Sequence, residues 1–410
     1  MDSGEPVIRP DPQTWGECGP TRFCWRQAEA PPVQVAELRT ALSCSHVLAT
    51  LLVARGIADP EAATDFLEPS LQGLSAPETL PDMERAVALI RHSITEQQQI
   101  CIYGDYDVDG ITATALLVEL FQHLGVAVEA YIPNRLREGY GLNEEAIRKI
   151  AAAGTSLLIT VDGGSNDLRE LELARSLGME VIVTDHHPIR GEIPDLPVVH
   201  PQRPDCDVPG VGLSGVGVAY KLVWALGKGL SGRERVDAGF REYMLSALSF
   251  VALGTVADIV PLRGENRVLV SYGLRAFAQT RRPGIRSLLR QCRIEPHQVT
   301  AEEIAFRVAP LLNAAGRLGD ARDALRVLIT QDAEEAEQLT RRLALLNRRR
   351  KALEKEMLTA CEEQIPEFLE HGEAAPLVLA GEGWHAGVAG IVAARLVERY
   401  HRPVFVIAIG

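Results

Sequence analysis

No stretch of this 410-residue sequence stays apolar for the roughly 18 residues that a membrane-crossing helix needs. The opening MDSGEPVIRPDPQ lacks both the basic start and the apolar core of an export signal, so a cytoplasmic protein is expected. Cysteine is sparse and unpatterned. Cys18, Cys24, Cys44, Cys101, Cys206, Cys292 and Cys361 never take CxxC spacing, which argues against a disulfide framework and a thiolate zinc site alike; buried thiols are expected. Fixed-period repeats and low-complexity tracts are also lacking, which argues against a solenoid. Positive charge is in deficit: 42 Lys and Arg against 55 Asp and Glu leave a net charge of -13, which taken alone speaks against a polyanionic partner.

What is present is ordinary globular composition, 46% hydrophobic and 24% charged, in a chain long enough for two or three domains. Basic residues are clustered in RRLALLNRRRKALEK (Arg341 to Lys355) and at Arg281, Arg282, Arg286, Arg290 and Arg293; a solvated helix face is the simpler reading of either run. Residues 1–75 are proline-rich, with a helical stretch around HVLATLLVARGI and a turn at DPEAATDFLEPSL, and are expected to pack on the main domain as an N-terminal extension. After them, QQICIYGD, VAVEAYIP, SLLITVD, MEVIVTD and LPVVH alternate with the helix-like TATALLVELFQHLG, NEEAIRKIAAAG and LRELELARSLG. That alternation predicts an α/β fold with a mostly parallel sheet, whose ligands bind beyond the carboxyl ends of the strands. From about Asp332 to Gln364, Ala336, Leu339, Leu343, Leu346, Leu353 and Met357 step along one face of a long helix, interrupted by Arg350. PLVLAGEGWHAGVAGIVAARLVERYHRPVFVIAIG then reads as strand, Gly-rich loop, helix, strand.

The stretch IYGDYDVDGITATALL sets Asp105, Asp107 and Asp109 at every second position. On an extended strand they would share one face and repel, so the spacing asks for a cation. A calcium loop begins in the same way but needs Glu at its twelfth position, where Leu116 stands, and ITATALL reads as a buried helix. A solvated acidic turn has the same spacing, so the rest of the chain must decide. Asp162 ends the strand LLITV, and Asp185, His186 and His187 end VIVT. Asp258 interrupts the apolar SFVALGTVADIVPL, where burial without a partner would be costly. Carboxylates with imidazole and no thiolate favour Mn²⁺ or Mg²⁺ over Zn²⁺. A literal GxGxxG at Gly210, Gly212 and Gly215 follows no strand, so it is a weak dinucleotide signal; its backbone N–H groups, opening a helix near Val216, could instead face a phosphate.

The segments YGDYDVDG, ITVDGGSND, VTDHHP, HPQRP, GTVADIVPL, NAAGRLGDA and GWHAGVAGIVAARL occur in this order over residues 45–410. In that order the chain resembles the RecJ-type single-strand-specific exonucleases of the DHH phosphoesterase superfamily. The resemblance implies a DHH catalytic domain over 76–265, a helical region completing it over 266–330, a connecting helix over 331–365, and a partial second α/β domain of the DHHA1 type over 374–410. It implies two Mn²⁺ or Mg²⁺ ions held by Asp105, Asp107, Asp109, Asp162, His186 and Asp258, with Asp162 bridging and His187 facing the scissile phosphate. Either Asp105 or Asp107 leads the set, since both need not reach the metal. Arg317, His385 and Gly387 are implied as substrate contacts, and Arg341, Arg348 and Lys351 as residues lining the cleft.

The implied activity is metal-dependent hydrolysis of single-stranded DNA from its 5′ end to 5′-mononucleotides, in repair and recombination. A DHH phosphodiesterase for short oligonucleotides or nucleotide second messengers would share every metal ligand, and a non-catalytic scaffold would lack the carboxylates retained here. The expected partners are single-stranded DNA and a single-strand-binding protein or helicase, with no membrane; a monomer is expected. The sequence departs from the family pattern in VDGGSND, where an apolar residue is usual near Ser165, and in ending without the OB-fold that usually follows. Tyr103 stands where some DHH phosphatases carry a ligand histidine.

Overall fold

A computed structural model describes residues 28–206, 212–232, 235–369 and 375–410. The chain divides into two units, one ending at Glu68 and the other running from Pro69 to Gly410.

In the first unit, α1 (Pro32–Leu42), α2 (His46–Ala54) and α3 (Pro60–Leu67) enclose a small core of Val35, Leu38, Ala49, Leu52, Val53 and Ala63. The expected turn at DPEAATDFL is the helix α3. Asp59 caps it by accepting from Ala62 N, and Pro60 supplies the fixed φ that suits a first helical position. The division falls earlier than the boundary expected near residue 75, because Ser75 belongs to the larger unit. Its carbonyl accepts from the buried Lys221 Nζ at 2.7 Å, and Lys221 also pairs with Glu265 at 2.9 Å.

The larger unit opens with α4 (Met83–Thr95). The five expected strands then follow as β1 (Ile100–Gly104), β2 (Val128–Tyr131), β3 (Leu157–Val161), β4 (Glu180–Thr184) and β5 (Val198–Val199). They form one sheet in the order β2-β1-β3-β4-β5, every pairing parallel. β1 and β3 are buried on both faces, as continuous apolar runs require. Between the strands lie α5 (Val108–His123), α6 (Glu144–Ala152) and α7 (Leu168–Ser176). α5 is buried almost all round, because α8 (Gly215–Ser231) and α9 (Ala238–Ala257) pack on it. Its Phe121 is fully buried with Phe250 of α9 in the main core, where truncating either would cost about 3–5 kcal/mol.

α10 (Gly264–Ala278) and α11 (Pro283–Cys292) follow. Then α12 (Ala301–Glu303), a π-helical stretch (Ile304–Val308) and α13 (Ala309–Leu318) lead to α14 (Ala321–Ile329). The connecting helix is α15 (Ala333–Leu369). Its expected apolar stripe is buried or half-buried, and the interrupting Arg350 is accommodated by Glu354, at 2.8 Å, and Asn347, at 3.0 Å. The last βαβ unit is β6 (Leu377–Glu382), α16 (Ala386–Tyr400) and β7 (Val404–Ile409), with the two strands parallel. Glu354 also reaches Arg395 of α16 at 2.6 Å, tying this unit to the connecting helix.

Among the described cysteines all are free thiols. Cys101 and Cys361 are buried as expected, whereas Cys44, Cys206 and Cys292 are only half-buried; Cys18 and Cys24 lie outside the described residues. No described helix is long and apolar enough to cross a membrane.

Candidate metal centre

The three aspartates of DYDVD do not converge by strand alternation. β1 ends at Gly104 and the chain turns at once into α5, so Asp105 follows the strand, Asp107 caps the helix and Asp109 lies in its first turn. Asp107 Oδ1 accepts from Asp109 N at 2.9 Å and Gly110 N at 3.2 Å, while Asp105 Oδ1 accepts from Tyr106 N at 2.7 Å. Asp109 is tied across the fold. Its oxygens accept from Gly215 N at 2.6 Å and Val216 N at 2.9 Å, the first amides of α8. The N–H groups of the Gly-rich loop that could have faced a phosphate therefore face a carboxylate; Gly210 lies outside the described residues. Gly215 is required for close approach, since a Cβ there would sit 2.3 Å from Asp162 Oδ1.

Asp162 follows β3 with φ +60, a left-handed conformation uncommon outside glycine and held here by the bond from its N–H to Thr184 O. His186, after β4, brings Nε2 to 3.1 Å from Asp162 Oδ1, 3.6 Å from Asp258 Oδ2 and 3.7 Å from Asp109 Oδ2. Asp258 arrives from the C-terminal end of α9. Three sets share these residues: Asp105, Asp107 and Asp162; Asp109, His186 and Asp258; and Asp162, His186 and His187. Within each set, one ligand atom per residue lies within 4.8 Å of the others.

The electrostatics show what the cluster needs. Burial, then repulsion from Asp109 and Asp107, pushes Asp162 well above the usual carboxylate range. Burial, then Asp258 and Asp107, does the same to Asp109. Burial and Asp107 push Asp105 up to about 7, and the same two causes push Asp258 up to about 6. His186 is lowered to about 4, chiefly by burial and then by His187. Despite their short separation, Asp162 Oδ1 and His186 Nε2 are not aligned as a hydrogen bond, and both are buried without a partner. A carboxylate oxygen and a ring nitrogen thus face one space with no hydrogen bond between them. A divalent cation fits that space, and oxygen donors with one imidazole suit Mn²⁺ or Mg²⁺.

The two histidine rings lie 4.5 Å apart but serve different partners. His187 Nδ1 meets Asp185 Oδ1 at 2.9 Å. That oxygen also accepts from His186 N at 2.7 Å and His187 N at 3.1 Å. Ser165 bonds the other oxygen through its N–H at 3.1 Å and its Oγ–H at 2.5 Å. Burial alone would raise the Asp185 carboxyl, but the bonds from His187 and Ser165 hold it well below its usual range; the bond to Asp185 raises His187 in turn. HPQRP has a positioning role: His200 Nε2 bonds His187 O at 2.8 Å, and Gln202 Nε2 bonds His186 O at 2.9 Å. The sequence marks Asp185 by its place at the strand end and His200 and Gln202 only as part of HPQRP, and it assigns no site role to them or to Ser165.

Beside the cluster, a pocket of about 300 Å³ is lined by Asp105, Asp107, Tyr140, His187, Arg135 and Arg317, among others. Arg135, absent from the sequence-derived set, lies 5.0 Å above the Tyr106 ring. Burial, then Arg135 and Arg350 nearby, lowers Arg317, so these cations are gathered against their own repulsion. Arg317 Nη1 bonds Gly387 O at 3.3 Å, and a Cβ on Gly387 would meet Arg317 O at 2.3 Å, so α16 presses its first turn onto α13. His385 caps α16 through Nδ1 and Gly387 N, but it does not line this pocket.

Arg282, expected on a solvated basic face, is half-buried instead in a two-pronged pair with Glu119, and Arg290 and Arg341 each pair with Glu337. Arg348 and Lys351 are exposed on α15. Tyr103 bonds Gly141 O at 3.2 Å and stacks on Tyr131. A wider hollow of about 1190 Å³, between the ends of α5, α9 and α10, holds none of the carboxylate cluster.

This fold and site define a class, the DHH-domain proteins: residues 99–255 match the model described as the DHH family, N-terminal domain. Among curated proteins, the chain is 37% identical over 390 residues to the single-stranded-DNA-specific exonuclease RecJ of Bacillus subtilis, covering 95% of this chain and 48% of that one. Among solved structures, RecJ from Thermus thermophilus in complex with Mn²⁺ superimposes with a TM-score of 0.78 at 36% identity, over 93% of this chain and 53% of the other. An exonuclease RecJ bound to manganese gives a TM-score of 0.72 at 38% identity, over 83% of this chain and 82% of the other. The chain belongs to the RecJ family, and it spans about half the length of the Bacillus relative.

Proposed function

We propose that this chain is the catalytic part of a two-metal phosphodiesterase that removes nucleotides from the 5′ end of single-stranded DNA, with Mn²⁺ or Mg²⁺ as cofactor. One observation carries the reading: the orphaned Asp162 Oδ1 and His186 Nε2, 3.1 Å apart among raised carboxyls, adjoin a pocket flanked by Arg135 and Arg317. The names of the relatives supply the substrate class. Asp162 would be shared between two ions, with Asp105 and Asp107 completing one set and Asp109, His186 and Asp258 the other. When bound, the ions would lower the pKa of a shared water and stabilise the attacking and leaving oxygens of the phosphodiester.

The protein's own groups do the rest. With Nδ1 held by Asp185, His187 keeps Nε2 as the ring atom available to the pocket, in reach of an oxygen of the scissile phosphate. Arg135 and Arg317 supply fixed positive charge for phosphate oxygens, and their mutual repulsion eases when an anion enters. Tyr140, exposed at the pocket wall edge-on to His187, offers an aromatic face for a base or sugar. A cytoplasmic location and a monomeric state accompany this reading.

Incubation of a 5′-labelled strand, a 3′-labelled strand and a dinucleotide with Mn²⁺ tests it. Early release of labelled mononucleotide from the 5′-labelled strand is the expected result. No hydrolysis, or hydrolysis of the dinucleotide alone, would overturn it, the latter in favour of a short-oligonucleotide phosphodiesterase.

A further inference from the structure

Ser165 sits in the loop after β3, twenty residues before Asp185, and is 3% exposed. Its hydroxyl has one strong use: Oγ–H donates at 2.5 Å to Asp185 Oδ2, the oxygen that His187 does not use. The Ser165 N–H donates to the same oxygen at 3.1 Å, while the His186 and His187 amides hold Oδ1, so the carboxylate is gripped from both ends. Asn166 braces the loop from outside, with Nδ2 on Pro188 O at 3.2 Å and Oδ1 accepting from Arg190 N at 2.8 Å. The β3 loop and the histidine loop are thus stitched together, and Asp185 is the buried centre of the seam.

A carboxylate that bonds an imidazole selects its tautomer and ring orientation, but only while its own plane is fixed. Rotation of Asp185 about its χ2 bond would move Oδ1 away from His187 Nδ1. We propose that Ser165 is a positioning residue: through Asp185 it locks His187 as the Nδ1–H tautomer with Nε2 presented to the pocket. The catalytic consequence rests on the phosphodiesterase reading above; the tautomer lock does not.

Two readouts separate these. In metal-free protein labelled with ¹⁵N at histidine, at a pH where the His187 ring is neutral, wild type shows a single Nδ1–H signature for His187. Ser165→Ala gives a mixture of tautomers or exchange broadening, while Ser165→Thr, which retains the hydroxyl, restores the single state. In the Mn²⁺-loaded protein acting on a single strand, Ser165→Ala lowers kcat about tenfold with KM and Mn²⁺ affinity unchanged, in line with other residues that orient a ligand or catalytic histidine. Circular dichroism of each variant confirms the fold, and Ser165→Cys stands in for the alanine variant if that fails to fold. An unchanged His187 tautomer in the hydroxyl-free variant, or a loss shared equally by KM and Mn²⁺ binding, overturns the proposal. If wild type cleaves no phosphodiester, the functional reading fails while the tautomer measurement still decides the role of Ser165.

Discussion

Two of the places where the described residues draw charge out of water do so in opposite ways. At the Arg282–Glu119 clamp every prong is matched: Nε and Nη2 meet the carboxylate at 2.6–3.1 Å, Nη1 bonds Ser246 O, and the guanidinium lies 4.5 Å over the Phe250 ring. Beyond the ends of β1, β3 and β4, Asp105, Asp109, Asp162 and Asp258 converge with a histidine whose Nε2 is orphaned. The same fold can supply a counter-charge where one is wanted, so its absence at the cluster is informative. The clamp is a finished interaction; the cluster is one that a cation would finish.

Breaking the cluster gives the largest effect. Asp162→Ala is expected to reduce Mn²⁺-dependent hydrolysis below about a hundredth of wild type, since one carboxylate would serve both ions. The fold should persist and the metal-free protein should unfold at higher temperature, because repulsion is relieved. Hydrolysis rates and a melting curve in chelator check both halves. Breaking the clamp has the opposite profile. Arg282→Ala leaves the half-buried Glu119 uncompensated, an expected loss of about 1–3 kcal/mol in denaturant unfolding. Mn²⁺ binding should be unchanged, whereas Arg282→Met with Glu119→Leu should recover most of the stability.

The strand and helix alternation was legible because β-branched runs and 3.6-residue periodicity are local signals, and Asp105, Asp162 and His186 stood out as candidate ligands because they follow those strands. The mode of convergence was not. Asp109 is held by amides more than a hundred residues away, Asp185 by Ser165 across two loops, and the His186 and His187 carbonyls by Gln202 and His200. Such bonds join side chains to distant backbone and leave no spacing to read. Arg282 misled for the same reason, since its partner lies on another helix.

The two histidines should respond differently to truncation. His186→Ala should weaken Mn²⁺ binding about tenfold to a hundredfold, whereas His187→Ala should lower kcat with binding little changed. Calorimetric titration showing equal losses for both would erase the distinction.

A smaller effect follows from acidity. Asp105 at about 7 and Asp258 at about 6 hold their protons more tightly in the folded state than in the unfolded chain. The folded state therefore binds more protons above the unfolded carboxylate pKa of about 4, and metal-free stability declines as pH rises from there toward 7. Melting temperatures in chelator should fall between pH 5 and pH 8 more steeply for wild type than for Asp162→Asn, and saturating Mn²⁺ should cancel the difference.

The most direct measurement is anomalous diffraction at the manganese edge from crystals of this chain grown with Mn²⁺. The account predicts two peaks sharing Asp162, one against Asp105 and Asp107 and the other against Asp109, His186 and Asp258. A cluster without anomalous density in crystals that bind Mn²⁺ elsewhere, with Asp162 and His186 hydrogen-bonded to each other, would contradict it.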